Sequence, residues 1–396
     1  MAHQNAHEPS GGFSVTRFWR DERGRGIVLQ FLVLAGILAF IGFITFNTIS
    51  NMQRAGLASG FGFLADPAFF DINQPLIEYN SQSSFARALL VGLLNTMMVS
   101  ALGIIAATVI GFTAGVLRLS NNWLVSHLVT AYVEFTRNVP VLLQIIFWWA
   151  TLTSLPKVRD SISIGDAAFI NNRGIRMPAP ILEPGMMWVG IALILCIIAA
   201  FFIHRWARRR QELTGQTFPS GWCAVALIIG IPVLVYLALG QPLTWDIPER
   251  SRFNFRGGFN ITPELIALWL ALSTYTGAFI SEIVRSGILS VSRGQSEAAF
   301  ALGLRPNLTT RKIILPQALR VIIPPLTSQY LNLTKNSSLA IVIGFQDLVS
   351  IGGSILNQAG RSLEVVAIWM VVYLSLSLAT SGFMNWYNKR IRLVER

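Results

Sequence analysis

The chain is 396 residues long, 53% hydrophobic and only 13% charged, a balance that excludes an ordinary soluble domain. Its formal charge of +12 would suit nucleic acid, but the arginines gather where apolar runs end, and that placement argues against such a partner. The two cysteines, Cys196 and Cys223, lie in or beside apolar runs and offer neither a disulfide framework nor metal-ligand spacing.

Residues 1–26 form a polar, Gly-rich basic segment that carries Arg17, Arg20, Arg23 and Arg25. The apolar run after it predicts a first span over Ile27–Phe46, uncleaved because it is about 20 residues long and follows a long charged preface. The loop that closes residues 27–87 carries Asp66, Pro67, Asp71 and Pro75 and reads as external. Residues 88–154 hold a second span, Ala88–Leu117, which returns to Arg118, and then Trp123–Thr136, apolar but interrupted by His127 and Glu134. The latter reads as a helix lying at the interface. Asn138 is placed to cap a third span that has Pro140 in its first turn and runs to Ser154.

Residues 155–262 read as an inserted region: an external stretch to 185, two more spans at Met186–Ile203 and Trp222–Leu239, and an external stretch with Pro242, Pro248 and Gly257-Gly258. Arg205, Arg208, Arg209 and Arg210 mark the inner end of this hairpin. Residues 263–396 contain a sixth span, Pro263–Ile283, a polar connection at 285–317, and a seventh span, Ala318–Thr334. A broken segment, Asn336–Arg361, and an eighth span, Val365–Trp386, follow, with Lys389, Arg390, Arg392 and Arg396 beyond. Eight spans with both termini cytoplasmic satisfy the positive-inside rule, except that Lys157, Arg159, Arg173 and Arg176 fall in a loop assigned to the outside. Asp160, Asp166 and Glu183 offset part of that charge.

The connection at 285–317 reads as a helix with built-in ends. Ser292 and Gln295 have the spacing of a capping box, Gly303 can take the left-handed conformation that closes a helix, and Pro306 blocks its continuation. A compact helix on the inner side of a membrane protein is a good handle for a soluble motor. The chain has no G-x-x-x-x-G-K-[ST], and none of its four lysines, Lys157, Lys312, Lys335 and Lys389, sits in a phosphate-binding loop. No catalytic constellation is present, so the chain reads as a transducer rather than an enzyme.

Two blocks of sequence resemble the permeases of polar amino-acid ABC importers. One is Gly92-Leu-Leu-Asn-Thr, with Gly111, Gly115 and Thr136-Arg-Asn-Val-Pro-Val-Leu-Leu-Gln144; here Asn138-Val139 stand where that family has Gly-Thr. The other runs from Ala271 to Leu339 and includes Gly294-Gln-Ser-Glu-Ala-Ala-Phe-Ala-Leu-Gly303, Ile314-Leu-Pro316 and Lys335-Asn-Ser-Ser-Leu339. The first span and the inserted hairpin resemble, more narrowly, a permease of the general L-amino-acid or glutamate/glutamine/aspartate/asparagine importers. The resemblance implies an all-α membrane protein with a five-span type I importer core, one N-terminal span and an inserted two-span hairpin. It implies a coupling loop seated on a separate ATPase through Gln295, Glu297, Ala298, Ala299, Gly303 and Pro316. The partners it implies are a second related permease, two ATPase subunits that bind the ATP and magnesium, and a periplasmic amino-acid-binding protein. This chain itself would bind no cofactor or metal, and L-amino acids would pass from periplasm to cytoplasm.

Polar side chains within spans are costly in lipid, which makes them candidates for the substrate path. Gln329, Asn332 and Asn336 recur at spacings of three and four, Lys335 lies beside them, and Tyr275 and Gln144 are handles on other spans. The same residues could instead tie helices together, and Lys335 could simply mark the outer interface. Glu134–Arg137 and Glu282–Arg285 are i,i+3 pairs better suited to anchoring helices than to binding substrate. A permease for another small polar solute, a stand-alone secondary transporter or channel, and a membrane scaffold are the rivals. The last two leave the capped inner helix without a purpose.

Overall fold

A computed structural model describes residues 22–54, 60–165, 167–251 and 254–391 of the chain. Arg17 and Arg20 of the basic segment, and Arg392 and Arg396 of the other terminus, lie outside the described residues. Helix α1 (Glu22–Arg54) is longer at both ends than the predicted first span, and its apolar stretch Val28–Asn51 buries nothing against the rest of the chain. Helix α2 (Phe85–Leu117) starts where Ser84 Oγ accepts the Arg87 amide at 3.3 Å. Helix α3 (Trp123–Asn138) starts on Asn122, whose carboxamide oxygen accepts from Leu124 and Val125 at 3.0 and 3.3 Å.

Asn138 does not cap the next helix. It ends α3, its amide donating back to Glu134 O at 2.7 Å, and α4 (Val141–Thr153) begins after Pro140. The break is held by Gln144, buried, whose amide donates to both Thr136 O (2.9 Å) and Val139 O (3.0 Å). Gln144 thereby braces the backbone across the break. At 13 residues α4 is also shorter than the span expected there.

The stretches expected as external loops fold into small antiparallel sheets. Strands β1 (Ile162–Ile164), β2 (Ala168–Asn171) and β3 (Gly174–Met177) form consecutive pairs. Beyond β4 (Ala179–Leu182) come α5 (Met186–Thr214) and α6 (Ser220–Ala238), the inserted hairpin. Strands β5 (Leu243–Asp246), β6 (Glu249–Arg250), β7 (Phe255–Arg256) and β8 (Phe259–Ile261) follow. Strand β5 returns to β4 and β8 to β3, with Ile175 opposite Ile261 and Met177 opposite Phe259. The sheet thus stitches the chain before the hairpin to the chain after it, around a small core of Val158, Phe169 and Phe255.

Helix α7 (Pro263–Leu289) leaves β8 through a Thr262 cap followed by Pro263, and runs parallel to α2. Gly103, Ala107, Gly111 and Gly115 recur every fourth residue on α2, and Ser273, Gly277 and Ser281 do so on α7. A Cβ on Gly115 would stand 2.7 Å from Val284 Cβ and 2.8 Å from Ser281 O. Small residues at this spacing let two membrane helices approach backbone to backbone. Trp269 Nε1 donates to Leu102 O at 3.2 Å farther along the same seam. Val99, Ile145, Leu268, Leu272, Ile280, Ile322 and Leu333 pack around it as the main core.

Helix α8 (Arg293–Ala301) and a helical turn at Pro306–Thr309 lead through a π-turn at Thr310–Ile314 into α9 (Leu315–Asn336), which has Pro316 in its first turn. Pro316 has no amide hydrogen to give to the preceding turn, which accounts for the irregular entry. Pro306 begins the turn that follows α8. A 3₁₀ stretch, Ser337–Ile343, and Gly344 at φ +76° separate α9 from α10 (Leu348–Ala359), with a bend of 51°. Helix α11 (Ser362–Ile391) completes the described chain. Among the described residues six helices are long and apolar enough to cross a membrane, seven if the bent pair is one crossing.

Candidate coupling and translocation site

Helix α8 lies between the ends of α7 and α9. Ser292 occupies its N-cap with extended backbone, but its hydroxyl makes no capping bond, and the Gln295 amide bonds instead to Ser292 O at 3.1 Å. The expected capping box does not form. The Gln295 side chain is used elsewhere: its Oε1 accepts from Gln317 Nε2 at 3.2 Å, tying α8 to the first turn of α9. The far end closes as the glycine predicts. Gly303 has φ +73°, its amide donates to Phe300 O at 2.9 Å, and the Leu304 amide donates to Ala299 O at 3.1 Å. These two bonds make a complete Schellman closure.

Ala299 is buried within the chain itself, whereas Glu297, Ala298 and Gly303 face outward and Pro316 is exposed at the start of α9. Two apolar side chains that spacing did not single out stand out beside them: Phe300 and Leu302, 52% and 80% exposed. Their signal was in the sequence, since Phe300 near the end of a short polar helix and Leu302 at its C-cap have no apolar face of that helix to fill.

At the same end of the molecule, five charged side chains from three elements meet. Arg118, immediately after α2, is almost buried and donates to Glu282 of α7 at 2.5 Å; its other terminal nitrogen is 3.6 Å from Glu134 of α3. Arg137 lies 3.9 Å from Glu134 and 3.6 Å from Glu282, and Arg285 lies 3.4 Å from Glu282. The two local pairs foreseen from spacing are therefore parts of one network, with Arg118 as its unforeseen hub. It ties α2 and α3 to α7 within a few turns of the start of α8.

The polar stripe of α9 is only partly covered. Asn332 and Lys335 are exposed and Gln329 and Asn336 half-buried, with Ser328 exposed on the same side. Lys335 sits in the last turn, where its charge also suits the helix dipole. Tyr275 is not brought to this stripe: its ring packs on Phe279 at 5.0 Å, over which the Arg137 guanidinium lies at 5.3 Å, next to the charge network. The N-terminus of α10 is not free for an anion, because Asp347 Oδ1 accepts the Ser350 amide there at 2.8 Å. Among the described residues no group of three or more His, Cys, Asp or Glu is placed to hold a metal ion.

At the opposite end, Gln346 latches the loop before α2 to the bend before α10. Its carbonyl side-chain oxygen accepts from Asn73 N at 2.6 Å, its amide donates to Asp71 O at 3.0 Å, and its backbone carbonyl accepts from Asn95 at 2.9 Å. In the same loop Tyr79 donates to Phe70 O at 2.9 Å, and burial together with the nearby Asp71 carboxylate raises its phenol above the ordinary value.

Residues 213–393 match the family described as binding-protein-dependent transport system inner membrane component. The general L-amino acid transport system permease protein AapQ of Rhizobium johnstonii is 53% identical, over 97% of this chain and 96% of that protein. The putative amino-acid ABC transporter permease protein YhdX of Escherichia coli is 48% identical over 94% and 95%. The glutamate/glutamine/aspartate/asparagine transport system permease protein BztB of Rhodobacter capsulatus is 42% identical over 98% of each. At this identity over nearly the whole length, the chain belongs to that family: it is an amino-acid ABC transporter permease, a multi-pass protein of the inner membrane.

Proposed function

We propose that the chain is one half of the membrane gate of an ATP-driven importer, moving L-amino acids from periplasm to cytoplasm. A second related permease would complete the gate, two ATPase subunits would bind and hydrolyse the ATP with magnesium, and a periplasmic amino-acid-binding protein would supply the cargo. No cofactor is assigned to this chain. Both termini, Arg118 and α8 lie on the cytoplasmic side in this reading, and the sheets lie outside.

The observation that carries the reading is α8. It is closed by its own Schellman turn, hydrogen-bonded to α9 through Gln295 and Gln317, and joined to α7 by the short turn at 290–292. A helix fixed at both ends moves as a piece with its neighbours. Glu297, Ala298, Phe300 and Leu302 offer a small mixed surface for a groove on the ATPase. Closure of the ATPase pair would push α8, and the network around Arg118 would carry α2, α3 and α7 with it. ATP and receptor act by binding one state of the gate more tightly than the other. The uncovered polar side of α9 is available to line a path shared with the second permease, where Lys335 could meet a carboxylate.

Proteoliposomes holding the purified complex test this. Labelled amino acid should accumulate inside only with ATP on the ATPase side and receptor on the other. Accumulation driven by an ion gradient without ATP would refute it.

A further inference from the structure

We propose that the sheet crown of the inserted region is an electrostatic docking site for an acidic face of the receptor that brings amino acids to the permease. This rests on the importer reading and on its assignment of the crown to the outside. The exposed side chains of Lys157, Arg159, Arg173 and Arg250 line one open concavity of about 950 Å³. They come from three separated stretches: the segment before β1, the β2–β3 turn and the end of β6. Only the sheet brings them together.

Arg173 and Arg250 are anchored without a carboxylate partner among the described residues. Asn171 Oδ1 accepts the Arg173 amide at 2.8 Å, and Arg173 O accepts from Asn260 at 3.4 Å. Arg250 donates to Ser161 O at 3.3 Å and lies over the Phe169 ring at 5.6 Å. Asp160 and Glu249 stand next to Arg159 and Arg250 in the chain but do not line the concavity, and Asp246 is engaged by the Gly258 amide at 2.8 Å. Among the described residues none of these cations is in an ion pair.

Cations in an external loop oppose the orientation rule, so insertion into the membrane gives no reason for them. Their exposure decides what they would bind. A single small anion gains little from side chains that stay in water. Several like charges spread over a broad concavity instead attract and orient a large surface of opposite charge. The location suits a receptor: β8 leads directly into α7, and Asn260 O accepts from Gln74 of the loop that Gln346 latches. A load on the crown therefore bears on α7, the helix that ends at α8.

The test uses the whole complex in neutral-lipid nanodiscs, with receptor-stimulated ATPase activity as the readout. In the triple variant Lys157→Glu, Arg159→Glu, Arg173→Glu, half-maximal stimulation should need about tenfold more receptor at low salt, with the maximal rate within twofold. Added salt should weaken stimulation of the wild type and not of the variant. The neutral pair Arg159→Gln, Arg173→Gln should fall between the two, which separates lost charge from lost folding. An unchanged receptor requirement overturns the proposal. So does a variant effect seen only without receptor in anionic lipid, or free glutamate bound by the wild type and not by the variant. A wild type that ignores receptor altogether overturns the importer reading, and the dock with it.

Discussion

Arg118 and Glu282, 164 residues apart in sequence, meet at 2.5 Å and join the end of α2 to α7 at the level where Arg137 and Arg285 also converge. The Arg118 side chain is only 7% exposed, so it has little water to fall back on. Arg118→Met should destabilise the permease by about 2 kcal/mol, the scale of a charge-assisted hydrogen bond in partly buried surroundings. Thermal unfolding in detergent reads this. Combined with Glu282→Gln, the two losses should be less than additive. Full additivity would show that the pair is not coupled.

Gly303 is the second test. Proline cannot adopt φ +73° and would remove the amide that bonds to Phe300 O. Gly303→Pro should abolish receptor-stimulated ATPase activity while expression and membrane insertion persist; Gly303→Asn, which tolerates the left-handed region, should keep much of it. Unimpaired stimulation in the proline variant would remove α8 from the coupling path.

The third concerns the α2–α7 seam. Gly115→Val places carbon where Val284 and the Ser281 carbonyl already stand, and should cost about 1–3 kcal/mol through forced separation of the helices. Gly42→Val on α1 and Gly190→Val on α5 meet nothing within 4 Å and should be neutral in the same unfolding assay. Equal effects at all three positions would argue against a close parallel seam.

A fourth follows from the uncovered side of α9. Lys335→Met should raise the KM for amino-acid uptake about tenfold, the loss of roughly one weak charge contact, while receptor-stimulated ATPase activity survives. If uptake kinetics stay at wild-type values, Lys335 marks the interface and does not touch cargo.

The spans were legible because an apolar run of twenty residues has few other uses, and the α8 closure because glycine at a helix end carries its own conformation. The spacing of Ser292 and Gln295 permits a capping box, but the side chain of Gln295 finds Gln317, a partner 22 residues on. Arg118 was invisible as a hub since its partners lie on other helices. The Gly103–Ala107–Gly111–Gly115 row was present in the sequence, yet only the facing Ser-Gly-Ser row of α7 gives it meaning. The crown was missed because its strands are two to four residues long, too short for alternation to emerge.

If this chain transmits work done elsewhere, it should not purify alone. Mass spectrometry of what stays with the tagged chain through gentle detergent purification should find an ATPase and a second permease in stoichiometric amounts. A chain that purifies alone and still moves solute without ATP would contradict that role.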